Sequence, residues 1–139
     1  MKKNVLSTTL WAAVLICLLT TSCGSKRADH SDPKSVADIA LECYDTGDYA
    51  RLKTLVSPTN EYLLEEMDKM IERAKEFSAQ HPDTKHEKKE RTYRETTEHI
   101  SGREITEESK MADVKYDDVY PTKVILERVD GKWYFEQFR

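Results

Sequence analysis

Apolar residues between Asp32 and Gly47 fall at Val36, Ile39, Ala40, Cys43 and Tyr44, the i, i+3, i+4, i+7, i+8 spacing that gathers them on one helical stripe. Asp32 followed by Pro33 supplies a cap and a first-turn proline, and Gly47 supplies a left-handed stop. Asp48 restarts a short helix whose Tyr49, Leu52, Leu55 and Val56 face inward. Ser57-Pro58 repeats the cap-plus-proline device, predicting a third and longest helix from about Pro58 to about Ala79 with Leu63, Met67, Met70, Ile71, Ala74 and Phe77 along one face. The segment from His81 to Lys110 is dominated by charge and threonine. Its Arg91 to His99 reads as an edge or solvent-facing strand, and the preceding HPDTKHEKKE reads as disordered. The period then changes to two: Ala112, Val114 and Tyr116 alternate with polar positions, Thr122 to Val129 forms a further strand, and Asp130-Gly131 turns the chain into Lys132 to Phe138. Helices followed by consecutive antiparallel strands predict an α+β domain, three helices packed on a curved sheet of about four strands.

The first 23 residues follow another pattern. Lys2 and Lys3 precede a ten-residue apolar run from Leu10 to Leu19, too short for the ~20 residues of a spanning helix. Leu18, Leu19, Thr20, Thr21, Ser22 and Cys23 follow, and this ending resembles bacterial lipoprotein signals, in which a small residue precedes the cysteine that receives the lipid. The resemblance implies cleavage of residues 1–22, a diacylglyceryl thioether and an acylated amine on Cys23, a flexible tether over 23–31, and a single domain over 32–139. It implies the cell envelope as address, with Gly24-Ser25 favouring the periplasmic side of the outer membrane. An ordinary secretory signal, leaving Cys23 as a plain thiol, is the alternative.

Cleavage before Cys23 leaves 117 of 139 residues, one domain's worth of chain. Loss of Lys2 and Lys3 takes the formal charge from −4 to −6, which opposes nonspecific nucleic-acid binding. Of the three cysteines, Cys17 leaves with the signal and Cys23 is blocked by lipid. Cys43 then has no partner for a disulfide and sits on an apolar stripe, as a core residue does.

The Asp32-Pro33 helix start, the phrase Tyr44-Asp45-Thr46-Gly47-Asp48-Tyr49 and the closing Asp130-Gly131-Lys132-Trp133, together with the lipid signal, resemble small bacterial lipoproteins related to nuclear transport factor 2, a cystatin-like group once labelled lumazine-binding-like. The resemblance spans about Asp32 to Arg139 and implies a cone-like sheet able to enclose a pocket. Relatives of that shape range from isomerases and dehydratases to binding or oligomerisation modules, so fold alone selects no activity.

Candidate chemistry is sparse. Regular alternation puts Tyr93 and His99 on one strand face as an acid/base pair, and strict alternation points Asp113 away from Ala112 and Val114. His81 and His86 with Asp83 and Glu87 are types that bind divalent metals, at a spacing without specificity. No phosphate loop, nucleophile elbow or catalytic Cys/His pair is present in the sequence, and neither a cofactor nor a metal is indicated. Alternation places Trp133 and Phe135 on one face and Tyr134 and Phe138 on the other, so one pair lies under the helices and the other lines a ligand or interface surface. The sequence therefore favours a lipid-anchored, non-enzymatic module that binds a small apolar ligand or a protein partner. A pocket enzyme on the same fold and a homodimer burying the sheet face are the alternatives.

Overall fold

The computed structural model describes residues 26–100 and 110–139. The expected signal over residues 1–22 and Cys23 lie outside the described residues. Helix α1 (Pro33–Thr46) is capped by the Asp32 side chain, which accepts from the Lys34 amide, and ends at Gly47, whose φ of 71° is left-handed. Its stripe is buried as the periodicity predicts: Val36, Ile39, Ala40 and Cys43 all join the core. Burial raises the Cys43 thiol to about 11. Asp48 caps the one-turn helix α2 (Tyr49–Lys53) by accepting from the Arg51 amide.

Helix α3 (Glu61–Gln80) begins three residues later than the Ser57-Pro58 pattern suggests. Ser57 is buried and forms a turn instead: its carbonyl accepts from the Asn60 amide at 3.0 Å, and its hydroxyl meets that of Thr59 at 2.8 Å. Asn60 then becomes the cap, its side chain accepting from the Leu63 amide. Of α3, Met67 reaches the core fully, and Phe77 beyond it is exposed. None of the described helices is long and apolar enough to cross a membrane.

Strands β1 (Thr92–Ile100), β2 (Lys110–Asp117), β3 (Lys123–Val129) and β4 (Lys132–Phe138) form an open antiparallel sheet in sequential order. The described chain is thus α+β, three helices and four strands. Asp130 and Gly131 take the positive φ values of 50° and 75° that the tight β3–β4 turn requires. Ala112, Val114, Val124, Leu126, Trp133 and Phe135 face the helices and complete one core. The edge of β4 is covered. The Trp133 amide donates to the His30 carbonyl, the Phe135 amide donates to the Leu55 carbonyl, and Val56 bridges Phe135. The outer edge of β1 carries no such cover among the described residues.

Each outermost strand carries a one-residue bulge, and each bulge corrects a sequence expectation. In β1 the register shifts between Tyr93 and Glu95. Tyr93 therefore pairs with Tyr116 on the helix side, and His99, opposite Met111, points to the other side. In β4 the register shifts beside Glu136, which returns Phe138 to the same side as Phe135, with ring centroids 4.6 Å apart. Regular alternation separates the members of that pair and unites those of the first; the extra residue does the reverse.

Residues 26–31 of the expected loose tether lie against the domain. Arg51 Nη2 donates to the Lys26 carbonyl at 2.7 Å, Ala28 packs against the core, and Asp29 accepts from the amide and hydroxyl of Ser31. His30 is held by Trp133 through both its carbonyl and its ring Nδ1. The chain is thus docked on the domain from Lys26, six residues ahead of Asp32.

Candidate functional site

A concavity follows the flank of α1, where Ser35, Asp38, Glu42 and Asp45 succeed one another at helical spacing. Residues 88–91 and Lys26-Arg27 also line this open groove, whose volume is about 790 Å³. Its two ends are built differently.

At one end Asp45 and Arg91 are sealed together. Nη1 reaches Oδ2 at 2.6 Å and Nη2 reaches Oδ1 at 2.8 Å, with 4% and 0% of the two side chains exposed. The Lys89 amide adds a third bond to Asp45 at 2.9 Å. Burial pushes the Asp45 carboxyl upward, but the guanidinium and the Lys89 amide outweigh it and leave it below its ordinary value. Arg91 gives two further donors, Nε and the second Nη2 hydrogen, to the carbonyls of Val119 and Tyr120. The pair fastens the segment before β1 and the β2–β3 connection to α1. The end of the stretch expected to be disordered is therefore tied down.

At the other end the buried Tyr116 hydroxyl donates to Asp38 Oδ1 at 2.5 Å, and Lys34 Nζ donates to Oδ2 at 2.6 Å. The same ammonium lies 5.0 Å from the centre of the Tyr93 ring, which meets Tyr116 edge-on. Burial, then the Asp38 carboxylate, drives the Tyr116 phenol far above its ordinary value, so it remains a donor. Between the ends, Glu42 accepts from Arg51 at 2.8 Å and pairs with Lys88 at 3.1 Å, and the Arg51 bond leads in lowering its carboxyl. The groove thus offers fixed charges of both signs along an open wall. Such a lining recognises a polar or charged partner by complementarity.

The residues singled out in the sequence fall elsewhere. His99 Nε2 lies 3.0 Å from Asp113 Oδ1 and Lys123 Nζ 3.1 Å from Oδ2, on the sheet face turned away from the helices. Asp113 points outward as alternation predicts. Burial raises its carboxyl, and His99 with Lys123 more than offset that, so it lies below its ordinary value. Tyr93 is on the opposite face, and its hydroxyl meets Thr96 Oγ1 at 2.9 Å.

His81 stacks on Phe77 at 4.3 Å, whereas His86 borders Gly47 and a smaller cavity of about 420 Å³ that Met70 and Phe77 also line. Among the described residues no three His, Cys, Asp or Glu side chains converge as metal ligands. Trp133 and Phe135 are each 3% exposed inside the core, and Phe138 packs against that core. Only Tyr134 of the four aromatics lies on the helix-free side, 5.0 Å from the His30 ring. The four do not form one surface.

The groove's key residues escaped the sequence reading. A signal existed for one bond: Tyr116 shares the buried side of β2 with Ala112 and Val114, so its hydroxyl requires a polar partner from the facing helix. Asp45 and Arg91 stand 46 residues apart, and nothing in their local pattern pairs them.

No family model, curated protein or solved structure matches the chain.

Proposed function

We propose that this protein is a lipid-anchored module of the cell envelope that binds and does not catalyse, held through Cys23 at the periplasmic side of the outer membrane. Its contact surface is the charged groove along α1, walled by a sheet with cone-like curvature. The observation that carries the reading is the direct passage from the lipoprotein-type ending Ser22-Cys23 to Lys26-Arg27, which already line that groove. Supporting it, Tyr93 and His99 lie on opposite sheet faces, and both oxygens of Asp38 and of Asp113 are engaged in salt bridges or hydrogen bonds. The aromatic side chains that suggested an apolar platform are largely spent in the core, which moves the proposed partner from apolar to polar.

Metabolic labelling with a fatty-acid probe tests the anchor: the native chain takes up label and sediments with membranes, and Cys23→Ala does neither. Label retained by Cys23→Ala refutes it. The groove is tested by purifying the native chain and Asp38→Lys from detergent-solubilised membranes and comparing the proteins, lipids and small molecules that accompany each. A species lost with the variant supports the assignment; identical inventories refute it.

A further inference from the structure

Two residues, Gly24 and Ser25, separate Cys23 from Lys26, and Lys26 is already tied to α2 through its carbonyl. Three Cα steps of ~3.8 Å keep Lys26 within about 11 Å of the Cys23 Cα. The headgroup layer of one leaflet is itself roughly 5–8 Å deep. A lipid on Cys23 therefore brings the surface around Lys26 to the headgroups, within about one screening length at physiological salt. Further along, the docking of Ala28 and His30 prevents the domain from swinging away on a longer leash.

That surface carries the groove's cations. Lys34 is matched by Asp38, Lys88 by Glu42 and Arg91 by Asp45. Among the described residues Lys26, Arg27 and Lys89 make no ion pair, although all three border the groove. Asp32 and Glu90 are the acids of the same groove outside ion pairs, and Asp32 is occupied as the helix cap. The mature chain as a whole carries −6, so an anionic leaflet repels it on average and attracts it only where local charge is reversed.

Resting on the lipid-anchor reading, we propose that the surface around Lys26, Arg27 and Lys89 is the face by which the domain lies on the bilayer, and that its partner is the anionic phospholipid headgroups of the leaflet holding the anchor. The anchor supplies attachment; the basic face supplies orientation. Each cation near an anionic leaflet shifts the oriented population about fivefold.

The test uses the full lipidated chain in phosphatidylcholine vesicles with and without phosphatidylglycerol. A membrane-impermeant amine-reactive reagent is applied, and labelling in vesicles is compared with labelling in detergent lysine by lysine, so that intrinsic reactivity cancels. Lys26 and Lys89 are expected to be protected severalfold in the anionic vesicles, and Lys115 and Lys123, on the helix-free sheet face, are not. The triple variant Lys26→Glu, Arg27→Glu, Lys89→Glu is expected to keep its fatty-acid label and its membrane fraction while Lys88 becomes as reactive as in detergent. Labelling of Lys26 and Lys89 at the detergent rate in an anchored chain overturns the proposal and leaves the anchor standing. Protection indifferent to phosphatidylglycerol overturns the headgroup chemistry. Failure of the native chain to take up fatty acid refutes the anchor reading itself.

Discussion

Asp45→Asn isolates the electrostatic part of the Asp45–Arg91 clasp, because it keeps the shape and one acceptor oxygen while removing the charge. In the native domain two guanidinium bonds of 2.6 and 2.8 Å are made between side chains 0% and 4% exposed. Two unit charges ~4 Å apart at an effective dielectric of ~20 attract by about 4 kcal/mol. Removing one partner of a buried pair costs about 3–5 kcal/mol, since the other is left desolvated without compensation. The variant also turns an amide NH2 toward Arg91 or Lys89, donor against donor. We expect a loss of about 3–5 kcal/mol in urea unfolding followed by circular dichroism, or roughly 12–25 °C in Tm for a domain of this size. Glu72→Gln, which breaks the fully surface-lying pair with Lys75, is the control and should cost under about 0.5 kcal/mol. The double variant Asp45→Leu, Arg91→Met should recover much of the loss, because neither charge is then stranded. The sign of the pH dependence follows from the lowered carboxyl. Asp45 contributes fully above its ordinary value of 3.8, and the contribution is lost as pH falls through the lower folded value. A cost for Asp45→Asn no greater than that of Glu72→Gln would refute the assignment of the pair as the clasp.

Tyr116→Phe removes the hydroxyl from Asp38, which stays partly solvated and bound to Lys34, so a loss of about 1 kcal/mol is expected by chemical denaturation; no measurable loss counts against that bond. Gly47→Ala forces a non-glycine residue to φ 71° at the end of α1 and should cost about 1–2 kcal/mol from backbone strain, since the nearest side chain, His86, is at an ordinary 3.8 Å. Equal stability of the two forms would contradict the left-handed cap. Cys43 should resist maleimide in the native domain and react once urea unfolds it. Its thiol, raised by burial to about 11 from 9.0, should make stability fall as pH rises from about 9 through that value, an effect that Cys43→Ala abolishes. Deletion of Glu136 should expel Phe138 from the core side and lower stability by about 2–4 kcal/mol; a melting curve unchanged from the native one would refute the bulge.

Much of the fold is legible because its signals are local. The stripe of Val36, Ile39, Ala40 and Cys43, the Asp32 cap and the Asp130-Gly131 turn each act over a few residues, and each is found where its pattern lies. Register is less local. Tyr93 and Phe138 lie on the sides that single inserted residues select, and Arg94 and Glu136 have nothing in their own chemistry that marks a bulge. Ser57-Pro58 misleads for a related reason: serine, proline and asparagine all suit both caps and turns, and burial of Ser57 decides between them. Long-range polar contacts are least legible. His30 with Trp133, Asp38 with Tyr116 and Asp45 with Arg91 span 103, 78 and 46 residues. The groove that the last two of these contacts shape therefore had no signature in any single stretch of sequence.

The two sheet edges bear on how many copies can share one surface. Molecules confined to a plane meet far more often than at the same amount in free volume, and an open strand edge invites them to zip side by side. Here one edge is stoppered by His30, Leu55 and Val56. The other is a strand whose side chains lie largely exposed, kinked at Arg94 and studded with Glu95 and Glu98, features that discourage a regular ladder with a neighbour. Under the proposed anchor, which would hold the domain in such a plane, these two edges work against strand-by-strand assembly of neighbouring copies.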